Sequence, residues 1–288
     1  MLIFAPAKIN LILDILGKRP DGYHDLWSIM QSVTLGDLVE ITPADQLILK
    51  IVNADLPADE NNIVVKVANA LRKAAGKNFG ARITLYKKIP LEAGLAGGST
   101  DGAAVLYGLN KLYKLNFTVK ELAEIGAKIG ADIPFCLNGG TALVEGIGER
   151  VTPLKPLLKG YFVLYKPPFG ISTKDAYLKL TGKNLTLYRP DRQNFLKALE
   201  QEDLFKIGQL LKNVLELSAS EIRPEIYKYK SELLKKNPLG VLMSGSGSTL
   251  FALTDSLRKA KEIYRSLTMP GEKYIVRPYG FGPTCLKP

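Results

Sequence analysis

The chain has 288 residues, 46% of them hydrophobic and 23% charged, with a mean hydropathy of +0.03, which excludes a disordered or fibrous protein. It contains no run of about 18 apolar residues, so no membrane span is expected, and two cysteines with one histidine argue against a disulfide framework or a zinc site and fit a reducing cytoplasm. A formal charge of +11 leaves nucleic acid, a membrane surface or an anionic small molecule open as partner.

The N-terminus lacks the basic start and long apolar core of a signal peptide. Strands are predicted at 2–15, 29–35, 38–42 and 47–52, where β-branched and apolar residues dominate between Gly, Pro and Asp breaks. A helix follows at 61–75, with Val64, Val67, Ala68 and Leu71 at helical spacing and Gly76 as the stop. A strand at 81–87 runs into a glycine-rich segment. Helices are then expected at 100–113 and at 119–129, the latter with a Thr118/Glu121 capping box and Gly130 as its stop. Strands are predicted at 141–145 and 161–166. The second half alternates helices (192–199, 203–217, 221–236, 255–267) with strands (240–243, 248–253, 273–278). Pro153, Pro156 and a change in charge mark a boundary, giving an α+β fold of two domains, 1–155 and 156–288. Residues 1–150 hold 16 Lys/Arg and 16 Asp/Glu, so the whole excess lies beyond, 23 basic against 12 acidic. Those cations are scattered, with doublets only at Lys235-Lys236 and Arg258-Lys259. They read as a solvated surface rather than as the clustered cations of a nucleic-acid binder.

Three glycine-marked segments carry chemistry. Pro90, Glu92, Ala93, Gly94, Leu95, Ala96, Gly97, Gly98, Ser99 and Thr100 lie before an alanine-rich helix. Small residues let the backbone turn and approach a ligand closely, and a helix N-terminus offers free N–H groups to phosphate. The segment is neither a Walker A loop nor a dinucleotide fingerprint; the alternative is a plain turn with Ser99 or Thr100 as N-cap. In the second segment Lys8 and Asn10 alternate with Ile9 and Leu11, which puts both polar side chains on one strand face. A Pro20-Asp21-Gly22 turn then presents Tyr23 and the single histidine, His24, which on its own reads more readily as structural than as functional. The third segment places Asp132 between Gly130-Ala131 and Ile133-Pro134-Phe135, either as an N-cap or as a carboxylate able to accept a hydroxyl proton. A late cluster, Met243-Ser244-Gly245-Ser246-Gly247-Ser248, joins two predicted strands as a hairpin or a ligand-facing loop.

In this order the motifs resemble the galactokinase–homoserine kinase–mevalonate kinase–phosphomevalonate kinase (GHMP) superfamily. The runs 6–11, 17–24 and 130–134 are most similar to its branch acting on 4-diphosphocytidyl-2-C-methyl-D-erythritol, and the likeness extends from Pro6 to about Leu253. The resemblance implies an N-terminal domain like ribosomal protein S5, a C-terminal ferredoxin-like α/β plait, and an active site in the cleft between them. It implies ATP and Mg²⁺, with phosphoryl transfer to the substrate's 2-hydroxyl in the non-mevalonate isoprenoid pathway. Carried onto matching positions, Asp132 is the general base and Lys8 its cationic partner; the Mg²⁺ ligands remain open. The 94–100 loop holds the ATP phosphates, and Asn62, Ile63, Val64 and Lys87 lie near the adenine. Tyr23 and His24 take the cytidine, Asn10 orients the methylerythritol part, and Ser246 and Gly247 flank the phosphates. Ala96 and Asp101 stand where many relatives carry Gly and Asn; the backbone cradle is expected to survive both changes, although Ala96 restricts φ more than glycine would. No nucleic-acid or membrane partner is expected, and the chain is expected to be a monomer or weak homodimer.

Overall fold

The computed structural model describes residues 1–180 and 189–288. Two long strands, β1 (Leu2–Lys18) and β2 (His24–Ala44), form an antiparallel hairpin. The sequence predicts two strands separated at Gly36, whereas β2 runs straight through. Gly36 stands opposite Pro6, and a Cβ there would overlap the Ala5 carbonyl and the Phe4 ring. The glycine serves close backbone approach, not a break. Register shifts at Pro6/Lys8 and Asn10/Ile12 re-aim the side chains between them. Ala7, Ile9, Leu11 and Ile12 enter one buried cluster, while Lys8 reaches the other way, toward Gly94 and Asp132.

Among the described residues the hairpin is the centre of an eight-stranded sheet. It is joined by β3 (Leu47–Val52), β4 (Gly80–Tyr86), β5 (Thr141–Gly146) and β6 (Arg150–Pro153). Helices α1 (Ile63–Ala75), α2 (Gly97–Leu112), α3 (Val119–Ala127) and α4 (Ile133–Asn138) share a core with this sheet, built on Ile3, Ala5, Ile41, Ile83, Val67, Val105 and Phe135. Helix α1 ends at left-handed Gly76, whose N–H bonds the Arg72 and Lys73 carbonyls, as its sequence predicts. The Thr118/Glu121 capping box of α3 is formed, but the helix ends at Ala127 and not at Gly130.

The second sheet is antiparallel, in the order β11 (Glu272–Val276), β7 (Tyr161–Lys166), β10 (Leu250–Thr254), β9 (Gly240–Met243). That order, with helices between β7 and β9 and between β10 and β11, is a ferredoxin-like plait. The helices of this half are α5 (Thr173–Leu178), α6 (Arg192–Glu200), α7 (Leu204–Leu210), α8 (Leu215–Ile222), α9 (Glu225–Leu234) and α10 (Leu257–Ser266). Phe162, Leu164, Phe251 and Leu253 of this sheet share a buried cluster with Ile9, Leu11, Trp27 and Ile29 of the hairpin. The two sheets therefore face each other across one apolar layer, the dominant stabilising term in such packing. No described helix is long and apolar enough to cross a membrane.

The predicted helix 203–217 is divided. Between α7 and α8 the chain leaves the helix so that β8 (Lys212–Asn213) can pair in parallel with Ile12 and Leu13 of β1. Helical spacing of apolar residues does not reveal that outside partner. Pro224 separates α8 from α9, because it cannot continue a preceding helix. The start of α4 after Asp132 agrees with the sequence reading, whereas the short elements α5, β6, β8 and β12 (Thr284–Lys287) were not expected, being too brief to show a period.

Candidate active site

Lys8 and Asp132 meet at the edge of the hairpin. Lys8 Nζ lies 3.6 Å from Asp132 Oδ2, donates to Asn10 Oδ1 at 2.8 Å and to the Gly94 carbonyl at 3.2 Å. The lysine is buried, while the Asp132 side chain is 32% exposed. Asp132 occupies the N-cap position of α4, yet its carboxylate accepts no bond from that helix. The capping alternative is therefore not what the side chain does: it faces a buried ammonium and stays open to a reactant. Behind it Cys136 is fully buried, and burial, then the Asp132 charge, pushes its thiol up. It packs as a small hydrophobe.

The phosphate-loop candidate lies beside this pair. Ala96 is the N-cap of α2 in the left-handed conformation, φ 59° and ψ 32°, with no side-chain cap. The first helical bond runs from Thr100 N–H to the Ala96 carbonyl at 2.9 Å, so the first-turn N–H groups of α2 are left for a ligand. The helix begins at Gly97 rather than near residue 100, and neither Ser99 nor Thr100 is its cap. Thr100 is buried and donates to the Pro6 carbonyl at 2.7 Å, tying α2 to β1. Alanine in this left-handed position costs roughly 1–2 kcal/mol relative to glycine.

Gly94 has a stricter requirement. Its φ is +71°, and a Cβ would strike the Ser244 carbonyl and approach Gly247 N and O at 3.1 and 3.0 Å. The two glycine loops thus lie backbone against backbone, joined by Thr249 N–H to the Ala93 carbonyl at 3.2 Å and by Ser244 Oγ to the Gly94 carbonyl at 2.9 Å. Gly94→Ala is expected to cost about 1–3 kcal/mol from backbone strain and to separate the loops. Urea denaturation with an ADP-release assay checks both; unchanged stability would mean that the loops yield freely.

Other predicted residues are placed differently from one another. Asn62 caps α1, its Oδ1 accepting from Val64 N–H at 3.0 Å and its Nδ2 donating to the Pro57 carbonyl. Val64 is fully buried. Ile63 is half-buried, with Cγ2 3.6 Å from the position of a Cβ on Gly98. Lys87 is not an open nucleotide ligand: its ammonium is buried between Asp37 and Asp101. Asp37 also accepts from the Lys88 N–H, and from the Ile89 N–H at 2.8 Å. Asp101 Oδ1 is buried without a partner among the described residues. Burial, then the Asp37 charge, raises the Asp101 carboxyl well above the usual range. Burial alone would lower Lys87, but Asp101 and Asp37 outweigh it and raise it. This triad sits beneath the loop, with Lys87 Nζ 3.6 Å from the position of a Cβ on Gly97.

Tyr23 is 59% exposed at the hairpin tip. His24 lies against Tyr177 of α5, ring centroids 5.2 Å apart. Burial, then Lys18, lowers the His24 pKa, and burial, then the charge of Asp132, raises that of Tyr177. Tyr177 therefore packs on His24 and feels the charge of Asp132. Nothing in the sequence signals it, because α5 has only six residues. Ser246 is buried, its hydroxyl 2.9 Å from that of Thr173. Ser244, not singled out within its cluster, is the member that bridges the first two motifs: it accepts from Asn10 N–H at 3.3 Å while donating to Gly94. Among the described residues no three His, Cys, Asp or Glu gather as a metal site.

The GHMP kinases N terminal domain matches residues 62–140, and the GHMP kinases C terminal domain matches residues 195–273. The chain is 72% identical over 287 residues to 4-diphosphocytidyl-2-C-methyl-D-erythritol kinase of Carboxydothermus hydrogenoformans, covering 100% of both chains. It superposes on a crystal structure of 4-(cytidine 5'-diphospho)-2C-methyl-D-erythritol kinase with TM-score 0.82 at 31% identity, covering 97% of this chain and 100% of that one. Homoserine kinase from Cytophaga hutchinsonii, at 24% identity and TM-score 0.79 over 99% of this chain and 96% of its own, is alike in fold. With its open helix N-terminus beside a Lys–Asp pair and its likeness along the whole length, the chain belongs to the 4-diphosphocytidyl-2-C-methyl-D-erythritol kinase family of the GHMP kinases and is a small-molecule kinase.

Proposed function

We propose that this kinase transfers the γ-phosphoryl group of ATP to the 2-hydroxyl of 4-diphosphocytidyl-2-C-methyl-D-erythritol, with Asp132 as general base and Lys8 as its cationic partner. The observation that carries this reading is the Asp132 carboxylate, free of its own helix and 3.6 Å from buried Lys8. Asp132 takes the hydroxyl proton as the oxygen attacks the γ-phosphorus, and ADP leaves. Lys8 stabilises charge on the transferring group. The phosphates lie on the free N–H groups of Gly97, Gly98 and Ser99, where glycine permits close approach.

A Mg²⁺ ion bound to ATP would neutralise charge on its β- and γ-phosphates. The donor set fits an ion held mainly by phosphate oxygens: Asp132 offers a partly open carboxylate, Ser99 lies on the first turn of α2, and among the described residues no three His, Cys, Asp or Glu gather to hold the ion by themselves. Adenine rests near Ile63, with Asn62, Val64 and Lys87 shaping the wall behind it. Tyr23, His24 and Tyr177 form an aromatic corner for the cytosine, and Asn10, fixed by Lys8 and by Ser28 Oγ at 2.9 Å, faces the methylerythritol part. Ser246 and Gly247 flank the phosphates.

ADP release measured side by side with the cytidine diphosphate substrate, homoserine and mevalonate tests the assignment. Turnover is expected with the first alone, and turnover only with one of the others would overturn it. In the same assay His24→Ala is expected to raise KM for the cytidine substrate by about tenfold, the worth of one hydrogen bond, and to leave KM for ATP unchanged. An equal rise in both constants would place His24 outside a cytidine pocket.

A further inference from the structure

Asn213 is fully buried and lies far from Lys8 in sequence, yet both N–H donors of its amide are taken by the loop whose Ser244 shares the Gly94 carbonyl with Lys8. Its Nδ2 donates to the Met243 carbonyl and to the Gly245 carbonyl, both at 2.8 Å, and its Oδ1 accepts from Leu215 N–H at 2.9 Å. An amide is the only short side chain with two donors and an acceptor; aspartate would turn oxygens toward two carbonyls. Three residues on, buried Glu216 accepts from Met243 N–H at 3.0 Å and pairs with Lys230. Met243 is thus gripped at both its N–H and its carbonyl by side chains from one short segment. That segment is itself fixed to the strand carrying Lys8, through β8 pairing with Ile12 and Leu13 and Val214 N–H bonding the Leu13 carbonyl.

What lies between the two gripped carbonyls is Ser244. Its hydroxyl accepts from Asn10 N–H and donates to the Gly94 carbonyl, the same carbonyl that receives Lys8 Nζ. Gly245, the next residue, leaves room for the lysine head: a Cβ there would sit 3.2 Å from Lys8 Nζ and 3.4 Å from Asn10 Oδ1. We infer that Asn213 is a positioning residue for phosphoryl transfer, acting through Ser244 and Gly245 to hold the Gly94 carbonyl and the Lys8 ammonium at Asp132. This rests on Lys8 and Asp132 being the catalytic pair.

The test is a double-mutant cycle on Asn213→Ser and Ser244→Ala, with kcat, both KM values and thermal unfolding measured for each enzyme. Each single variant is expected to lose about tenfold to a hundredfold in kcat, the scale of a small misplacement of reacting groups. KM for the cytidine substrate should stay within about twofold, and the double variant should be no slower than the slower single, since both changes break one chain of contacts. A lowered melting temperature with unchanged kcat would assign Asn213 a merely structural role and overturn the inference; so would additive losses. If Asn213→Ser does not fold, full kcat in Ser244→Ala overturns it alone. Asp132→Asn run alongside separates the readings: activity there removes the catalytic pair itself, whereas an inactive Asp132→Asn with a full-speed Asn213→Ser removes only the positioning role.

Discussion

Asp132→Asn is expected to lower kcat by about 100- to 10,000-fold, the usual contribution of a positioned general base, while KM for ATP and the melting temperature stay near those of the parent enzyme. The reasons are geometric. The carboxylate caps nothing in α4, so the fold does not depend on it, and it is partly open to the cleft. An amide of the same shape fills the same volume and can still accept from Lys8, but it cannot take a proton at neutral pH. Single-turnover measurements separate chemistry from product release. A variant that retains the parental rate of phosphoryl transfer would show that the hydroxyl needs no base, as a loose transition state with little demand on the nucleophile permits.

Lys87→Met has the largest expected effect on stability, a loss of about 3–5 kcal/mol, because it leaves buried carboxylates without their counter-charge. Asp37, Lys87 and Asp101 are all nearly inaccessible. Two acids share one cation there, and burial, then the Asp37 charge, raises the Asp101 carboxyl well above the usual range. A carboxyl whose folded pKa is raised supports the fold below its unfolded pKa, and that support is lost as pH rises through the folded value. Asp101→Asn, a neutral isostere, should therefore gain in stability on the parent as pH rises from about 5 to about 8. Denaturation curves across that interval check the sign; a difference independent of pH would mean that Asp101 is ionised throughout. The Lys87 measurement also separates two roles for that residue. If Lys87→Met kept full stability and lost only ATP affinity, the lysine would be a nucleotide ligand.

What the sequence made legible follows from the range over which each signal acts. The helix α1 with its Gly76 stop and the Thr118 capping box are local devices, written within a turn of one another. The loop before α2 and the Lys8/Asn10 strand were equally local. Asp132 was visible as a residue, but its release from capping depends on Lys8, 124 positions away and placed by two register shifts in the hairpin. For Lys87 the resemblance implied a place near the adenine, and the sequence did not reveal that Asp37 and Asp101, from β2 and α2, enclose its charge. Tyr177 stood in a helix too short to have a period, and the division of the expected helix 203–217 was set by a strand more than 190 residues earlier. Most of the site's elements were readable; the contacts that decide what each side chain does are long-range.

The edge of the first sheet has a consequence for how the chain must be made. Leu2, Ile3 and Phe4 pair on one side with β12, at Lys287, Cys285 and Thr284, and farther along β1 Ile12 and Leu13 pair with Lys212 and Asn213. The strand that carries Lys8 thus takes its neighbours from the middle and the far end of the chain. During synthesis the N-terminal half emerges with one side of β1 open, an unpaired edge of the kind that invites association with other chains. That edge closes only once residues 212–213 and 284–287 have been made and have docked on it.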